Sequence, residues 1–109
     1  MLELRYYEDE EGERPFETWF EEIDDLARAK VAVGLKRMGE SNLSNVKSVG
    51  AGVLEYRIDF GPGYRIYFGR DGDVVVILLT GGTKKRQQQD IGKAHEYWND
   101  FKRRKRGGP

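Results

Sequence analysis

Leu54-Glu55-Tyr56-Arg57-Ile58-Asp59-Phe60-Gly61-Pro62-Gly63-Tyr64-Arg65-Ile66-Tyr67-Phe68 is the stretch on which the fold turns. Its apolar residues recur at every second position on either side of a Gly-Pro-Gly turn, which predicts an antiparallel hairpin with strands over 53–60 and 64–68. The alternation puts Leu54, Tyr56, Ile58 and Phe60 on one face of the first strand and Glu55, Arg57 and Asp59 on the other. In the second strand Arg65 and Tyr67 oppose Tyr64, Ile66 and Phe68. One face is therefore expected to be oily and the other to carry arginines. A further strand, 74–80, follows the Asp71-Gly72 turn; Val74 to Leu79 are apolar at every position, which places that strand inside the sheet.

Upstream of this meander the period changes to that of a helix. Phe16, Trp19, Phe20, Ile23 and Ala27 recur at spacings of three and four, and Val31, Leu35 and Met38 continue the stripe. Pro15 suits a first helical turn, and Asp24-Asp25 can cap a new helix, so the reading is two helices over 15–24 and 26–39. Residues 39–52 are rich in glycine, serine and asparagine and read as a loop. At the start, Leu2, Leu4 and Tyr6 share one face of a strand, followed by an acidic loop from Glu8 to Glu13. At the other end, Ile91, Ala94, Trp98 and Phe101 mark a last helix, and residues 102–109 read as a basic, flexible tail. The expected fold is α+β: an antiparallel sheet made of an N-terminal strand and a three-stranded meander, with two helices packed on it and a C-terminal helix.

A chain of 109 residues has room for one domain, which buries roughly 65% of the surface its unfolded form exposes. There is no cysteine and one histidine, His95, so neither a disulfide framework nor a thiolate or histidine zinc cluster is expected; the reading has no cofactor and no metal. The opening residues lack the basic start and apolar run of a secretory signal, and no stretch approaches the ~20 apolar residues of a membrane span. The chain reads as cytoplasmic, with no membrane partner. Zero net charge hides a polarity: residues 1 to 25 hold eleven acids and two bases, and the remainder holds eight acids and seventeen bases. Such a chain can offer a cationic surface to a polyanion while remaining neutral.

Three segments then carry a resemblance: Leu54-Glu55-Tyr56-Arg57-Ile58, Gly61-Pro62-Gly63-Tyr64-Arg65-Ile66-Tyr67-Phe68, and Leu78-Leu79-Thr80-Gly81-Gly82-Thr83-Lys84-Lys85 with Gln88, Asp90, Ile91 and Ala94 after it. Together with Pro15-Phe16 and Trp19-Phe20, they resemble the phage-derived, HigB-like branch of the RelE/ParE superfamily of toxins. The resemblance runs from Leu2 to about Phe101. It implies the toxin of a toxin–antitoxin pair, acting as a ribosome-dependent endonuclease on messenger RNA. In that reaction the 2′-hydroxyl displaces the 5′-oxygen in line, which needs cations around the phosphorane but no metal. The implied partners are a helix-turn-helix, HigA-like antitoxin, the ribosome and mRNA, with DNA reached only through the antitoxin. The same superfamily contains ParE-like gyrase inhibitors, so a non-enzymatic inhibitor is the rival reading, and a degenerate toxin that only binds its antitoxin is a third.

Within that resemblance Arg65 corresponds to the clamp on the scissile phosphate, since a guanidinium fork grips two phosphate oxygens and stays charged. The competing reading pairs Arg65 with Glu55 across the hairpin. Arg57 shares its face and is a candidate for a flanking phosphate. Lys84, Lys85 and Arg86 follow two glycines; related toxins place a second catalytic cation here, with Lys85 favoured, against the alternative of solvated charge at a helix start. His95 has the one side chain suited to acid–base work near neutral pH, although a helix-surface role competes. Tyr67 is read either as stacking on a base or as packing. Lys102, Arg103 and Arg104 in the basic run are expected to hold RNA. The chain departs from relatives in having Ile91 where some use a tyrosine, which leaves the acid and the base unassigned.

Overall fold

A computed structural model describes residues 1–107; residues 108 and 109, the end of the expected tail, lie outside the described residues. The strands are β1 (Glu3–Tyr6), β2 (Val46–Ser48), β3 (Leu54–Ile58), β4 (Tyr64–Asp71) and β5 (Val75–Thr83). The helices are α1 (Pro15–Glu22), α2 (Asp25–Gly39) and α3 (Gln87–Gly107), the last entered through a 3-10 turn at Lys84–Arg86. One five-stranded sheet has the order β1-β5-β4-β3-β2.

The α+β class, the meander and the helices follow the expectation, and β5 lies inside the sheet between β1 and β4. Pro15 opens α1, and Asp24 caps α2 by accepting from the Ala27 amide at 2.8 Å. Three features differ. The sheet is mixed, because β1 runs parallel to β5, from Glu3 opposite Val75 to Tyr6 opposite Leu78. Val46–Ser48, inside the expected loop, forms a fifth strand against β3. Three residues are too few to show a period, and only the free edge of β3 makes them a strand. Finally, α3 continues to Gly107, so residues 102–107 are helical rather than a flexible tail. That end is tied down: Arg104 donates to the Glu8 carbonyl, and Lys105 pairs with Asp71.

The sheet is covered on both sides. Phe16, Val31 and Met38 of α1 and α2 bury one face together with Ile66, Phe68 and Leu78. On the other face Ala94 and Trp98 of α3 pack with Tyr7, Val53, Tyr67, Ile77 and Leu79. Gly69 of β4 permits this approach, since a methyl there would come within 2.5 Å of the Trp98 indole. The second face carries the arginines as expected, but α3 packs on it as well, so both faces contribute to the core. Strand alternation assigns a side chain to a face, but it cannot tell whether a helix from elsewhere in the chain will lie on that face. Among the described residues no helix is long and apolar enough to cross a membrane.

Candidate functional site

The corner where β3 turns into β4 gathers the basic residues singled out in the hairpin. Arg57 and Arg65 are direct partners across the two strands. Gly63, with φ +79, holds a backbone conformation that favours glycine, and its carbonyl is the local anchor. It accepts from the Lys84 amide at 2.9 Å and from Nη1 of Arg65 at 3.1 Å. The start of the 3-10 turn is thereby fastened to the hairpin, and Lys84 is carried to the same corner as the two arginines.

Arg65 is 6% exposed, so it does not stand on an open platform. Its Nε lies 3.6 Å from Oε2 of Glu55, which is fully buried, and that same oxygen accepts from Gln87 at 2.9 Å. Nζ of Lys47 lies 3.8 Å from the other oxygen. The pairing of Arg65 with Glu55 is therefore the arrangement the fold adopts, and α3 is the reason: its first residue, Gln87, closes over the pair. Tyr67 is also fully buried, which corrects its reading as a base-stacking residue. Burial, and then the charge of Glu55, push its hydroxyl well above the usual tyrosine range. The cations that remain accessible at this corner are Arg57, Lys84 and Lys85, all exposed and none within 4.0 Å of a carboxylate among the described residues.

The other expected residues lie elsewhere. His95 is half-buried, with Nε2 2.9 Å from the Val49 carbonyl, so it braces the turn between β2 and β3 and is not part of the cationic corner. Lys102 lies over the Trp98 ring at 5.8 Å. Arg103 donates to Asp100 at 2.5 Å, and Arg104 donates to Asp100 at 2.9 Å while stacking over Tyr7. Asp100 also accepts from the Tyr7 hydroxyl at 2.7 Å; this bond, with the neighbouring arginines, holds its carboxyl below the ordinary range. Arg104 helps to fasten the end of α3, while Arg103 stays exposed in a pair within its own helix, so these residues belong to an ordered helix and not to a flexible tail.

Arg86 points to a second opening, a cleft of about 490 Å³ between α1 and α3 over the last residues of β5. Asp9, Glu13, Glu22 and Asp90 line it with Arg86, Lys93, Trp19 and Tyr97. Asp90 is 9% exposed, its Oδ2 has no hydrogen-bond partner, and burial raises its carboxyl pKa. The sequence reading missed Asp90 as a site residue and named Glu55 only as the rival partner of Arg65. An acid in the first turn of a helix usually faces solvent near the positive dipole end, so Asp90 sent no signal of burial. Among the described residues no three of the histidine, aspartate and glutamate side chains come together as metal ligands.

Residues 18–96 match the family described as phage derived protein Gp49-like. The chain belongs to this family. It is the RelE/HigB-like toxin family, so the expected membership holds. The match runs from α1 into α3 and takes in both the corner and most of the cleft. A Haemophilus influenzae protein described as uncharacterized is 42% identical over 80 residues, covering 72% of this chain and 81% of the relative. As a Gp49-like protein the chain is a phage-derived toxin of the toxin–antitoxin class, and an antitoxin is its implied partner.

Proposed function

We propose that this toxin cleaves messenger RNA on the ribosome, in the cytoplasm, by promoting attack of a ribose 2′-hydroxyl on the neighbouring phosphate. The observation that carries this reading is the corner at Gly63, whose carbonyl accepts from both the Arg65 guanidinium and the Lys84 amide, with Arg57 opposite Arg65 in register and Arg57, Lys84 and Lys85 all exposed. In the in-line reaction the new 2′-oxygen–phosphorus bond forms as the 5′-oxygen leaves, and negative charge builds on the non-bridging oxygens. Fixed cations at that point lower the barrier without reorganising. Arg57, Lys84 and Lys85 are the groups that touch the phosphate, and Arg65 is a positioning residue that keeps the hairpin end and its partners in place. The partners under this reading are the ribosome, mRNA and a helix-turn-helix, HigA-like antitoxin.

The test is to map RNA ends in a translated reporter message after brief expression. Native chain is expected to cut, and the variant carrying both Arg57→Ala and Lys84→Ala to cut about a hundred-fold less or worse. Growth arrest with whole messages and blocked DNA supercoiling would replace this reading with gyrase inhibition. Absence of arrest would leave a chain that only binds its antitoxin.

A further inference from the structure

The cations of the corner continue past Arg57 toward α2. β2 pairs with β3 only from Leu54 to Tyr56, after which the Arg57 amide donates to the Asn45 carbonyl at 3.2 Å. A third opening, of about 340 Å³, lies between α2 and the chain from Tyr56 to Phe60. One wall is a face of α2, where Lys30, Val33 and Arg37 follow one another at spacings of three and four. Lys30 and Arg37 are exposed, and neither has a carboxylate within 4.0 Å among the described residues.

Three features define what this opening would take. Its floor is apolar: Gly34 brings α2 so close to the sheet that a methyl there would stand 3.1 Å from Ile58 and 3.2 Å from Tyr56, and Tyr56 is 3% exposed. Its charge is cationic, with Lys30, Arg37 and Arg57 against one acid, Asp59. Lys30 is held at the rim by Phe60, its ammonium 5.1 Å from the ring centroid. The third feature is continuity with the corner. Arg57 lies opposite Arg65 in register, and the Phe60 carbonyl accepts from the amide of Gly63, whose own carbonyl holds Lys84. A single strand of RNA gripped at the corner would run into the opening without leaving cationic surface. A bare anion makes no use of the apolar floor. A nucleotide does: its phosphates meet the cations, the face of its base meets the floor, and the edge of the base meets Asn45 and Asp59.

We infer that the opening between α2 and the end of β3 is a subsite for the nucleotide next to the scissile phosphate. Arg57 is shared between the two phosphates, Lys30 and Arg37 hold the outer one, and the base lies against Val33 and Ile58. The inference deepens the RNA-cleavage reading and rests on it for the identity of the ligand. The apolar floor and the unpaired cations stand without it.

The test is a titration of the full chain, followed by amide NMR, with a 2′-O-methylated adenosine hexamer, an RNA strand that has no free 2′-hydroxyl to attack. The amides of residues 33–37 and 57–60 are expected to shift. The exposed pair Lys30→Gln and Arg37→Gln is expected to weaken binding about ten-fold. It should also flatten the slope of log affinity against log salt by about 1.4, the loss of two phosphate contacts on a single strand. The single change Val33→Glu, which sets a carboxylate in the wall, is expected to weaken binding to a similar extent. Lys93→Gln with Arg106→Gln removes the same charge away from the opening and should leave affinity within about two-fold of native. The inference is overturned if the hexamer moves none of these amides at millimolar concentration, or if the Lys30 and Arg37 variant binds as tightly as the native chain. It is equally overturned if inorganic phosphate occupies the same amides as tightly as the hexamer, which would make the opening an anion site only, or if a hexaglutamate peptide binds there more tightly, which would assign it to a protein partner. Message cutting by the native chain with no shift in this titration rejects the subsite and keeps the nuclease. Hexamer bound in the opening of a chain that cuts no message does the reverse, so the two readings fail separately.

Discussion

Glu55 and Asp90 lie over the same face of the sheet, one on β3 and the other above β5; each keeps one buried oxygen without a hydrogen-bond donor, and they differ in the charges that the fold brings to them. Glu55 is enclosed by Arg65, Lys47 and Gln87, drawn from β4, β2 and α3. Asp90 has Arg86 of the 3-10 turn and Lys93 of its own helix nearby, but no hydrogen-bond donor for its buried oxygen. A carboxylate placed mid-sheet is met by whichever elements close over it. The contrast separates a carboxylate with cations within 4.0 Å from one with none among the described residues.

The largest effect is expected from Glu55→Ala. It leaves the Arg65 guanidinium buried without its counter-charge, and urea unfolding should show a loss of about 3–5 kcal/mol; a loss below about 1 kcal/mol would erase the contrast. Next comes Gly82→Ala, whose methyl would meet the Asp90 carboxylate. It should cost about 1–3 kcal/mol, and much of that should return when Asp90→Ala is added, a coupling that a double-mutant cycle measures directly.

Asp90→Asn should act in the opposite direction and stabilise the free chain by about 1 kcal/mol, because an uncompensated buried charge is removed. The sign follows from burial raising the carboxyl pKa: folding favours the protonated form, so native stability falls as pH rises from the unfolded value of ~3.9 through the raised folded one. The advantage of the Asn variant in thermal melts should accordingly be absent near pH 3 and grow toward neutrality. The smallest change belongs to Lys47→Ala. Its ammonium is half-exposed and 3.8 Å from Glu55, so under about 1 kcal/mol is expected. A larger loss would mean that Glu55 depends on the edge strand more than on Arg65.

Much of the candidate site was legible along the chain, though not its state of burial. Alternation put Glu55, Arg57, Arg65 and Tyr67 on one face, and the register agrees, with Arg57 opposite Arg65 and Glu55 opposite Tyr67. The two glycines before the basic turn, Gly81 and Gly82, are the positions on which the side chains of Trp19 and Asp90 pack. His95 and the basic run at the end of α3 drew attention by residue type, and both serve packing: His95 holds Val49, and Arg104 joins Asp100 to Glu8.

From sequence alone came the hairpin and its turn, the two N-terminal helices with Asp24 at the cap, the inside position of β5 and the family, because each depends on residues close together in the chain or on a local motif. Tertiary structure decided that β1 runs parallel to β5, that Val46–Ser48 completes the sheet, and that α3 seals Arg65 and Tyr67 while leaving Asp90 at the edge of a cleft. Those choices are made between segments far apart in sequence, where the energy of burying a face depends on which partner covers it, and no local period records that partner.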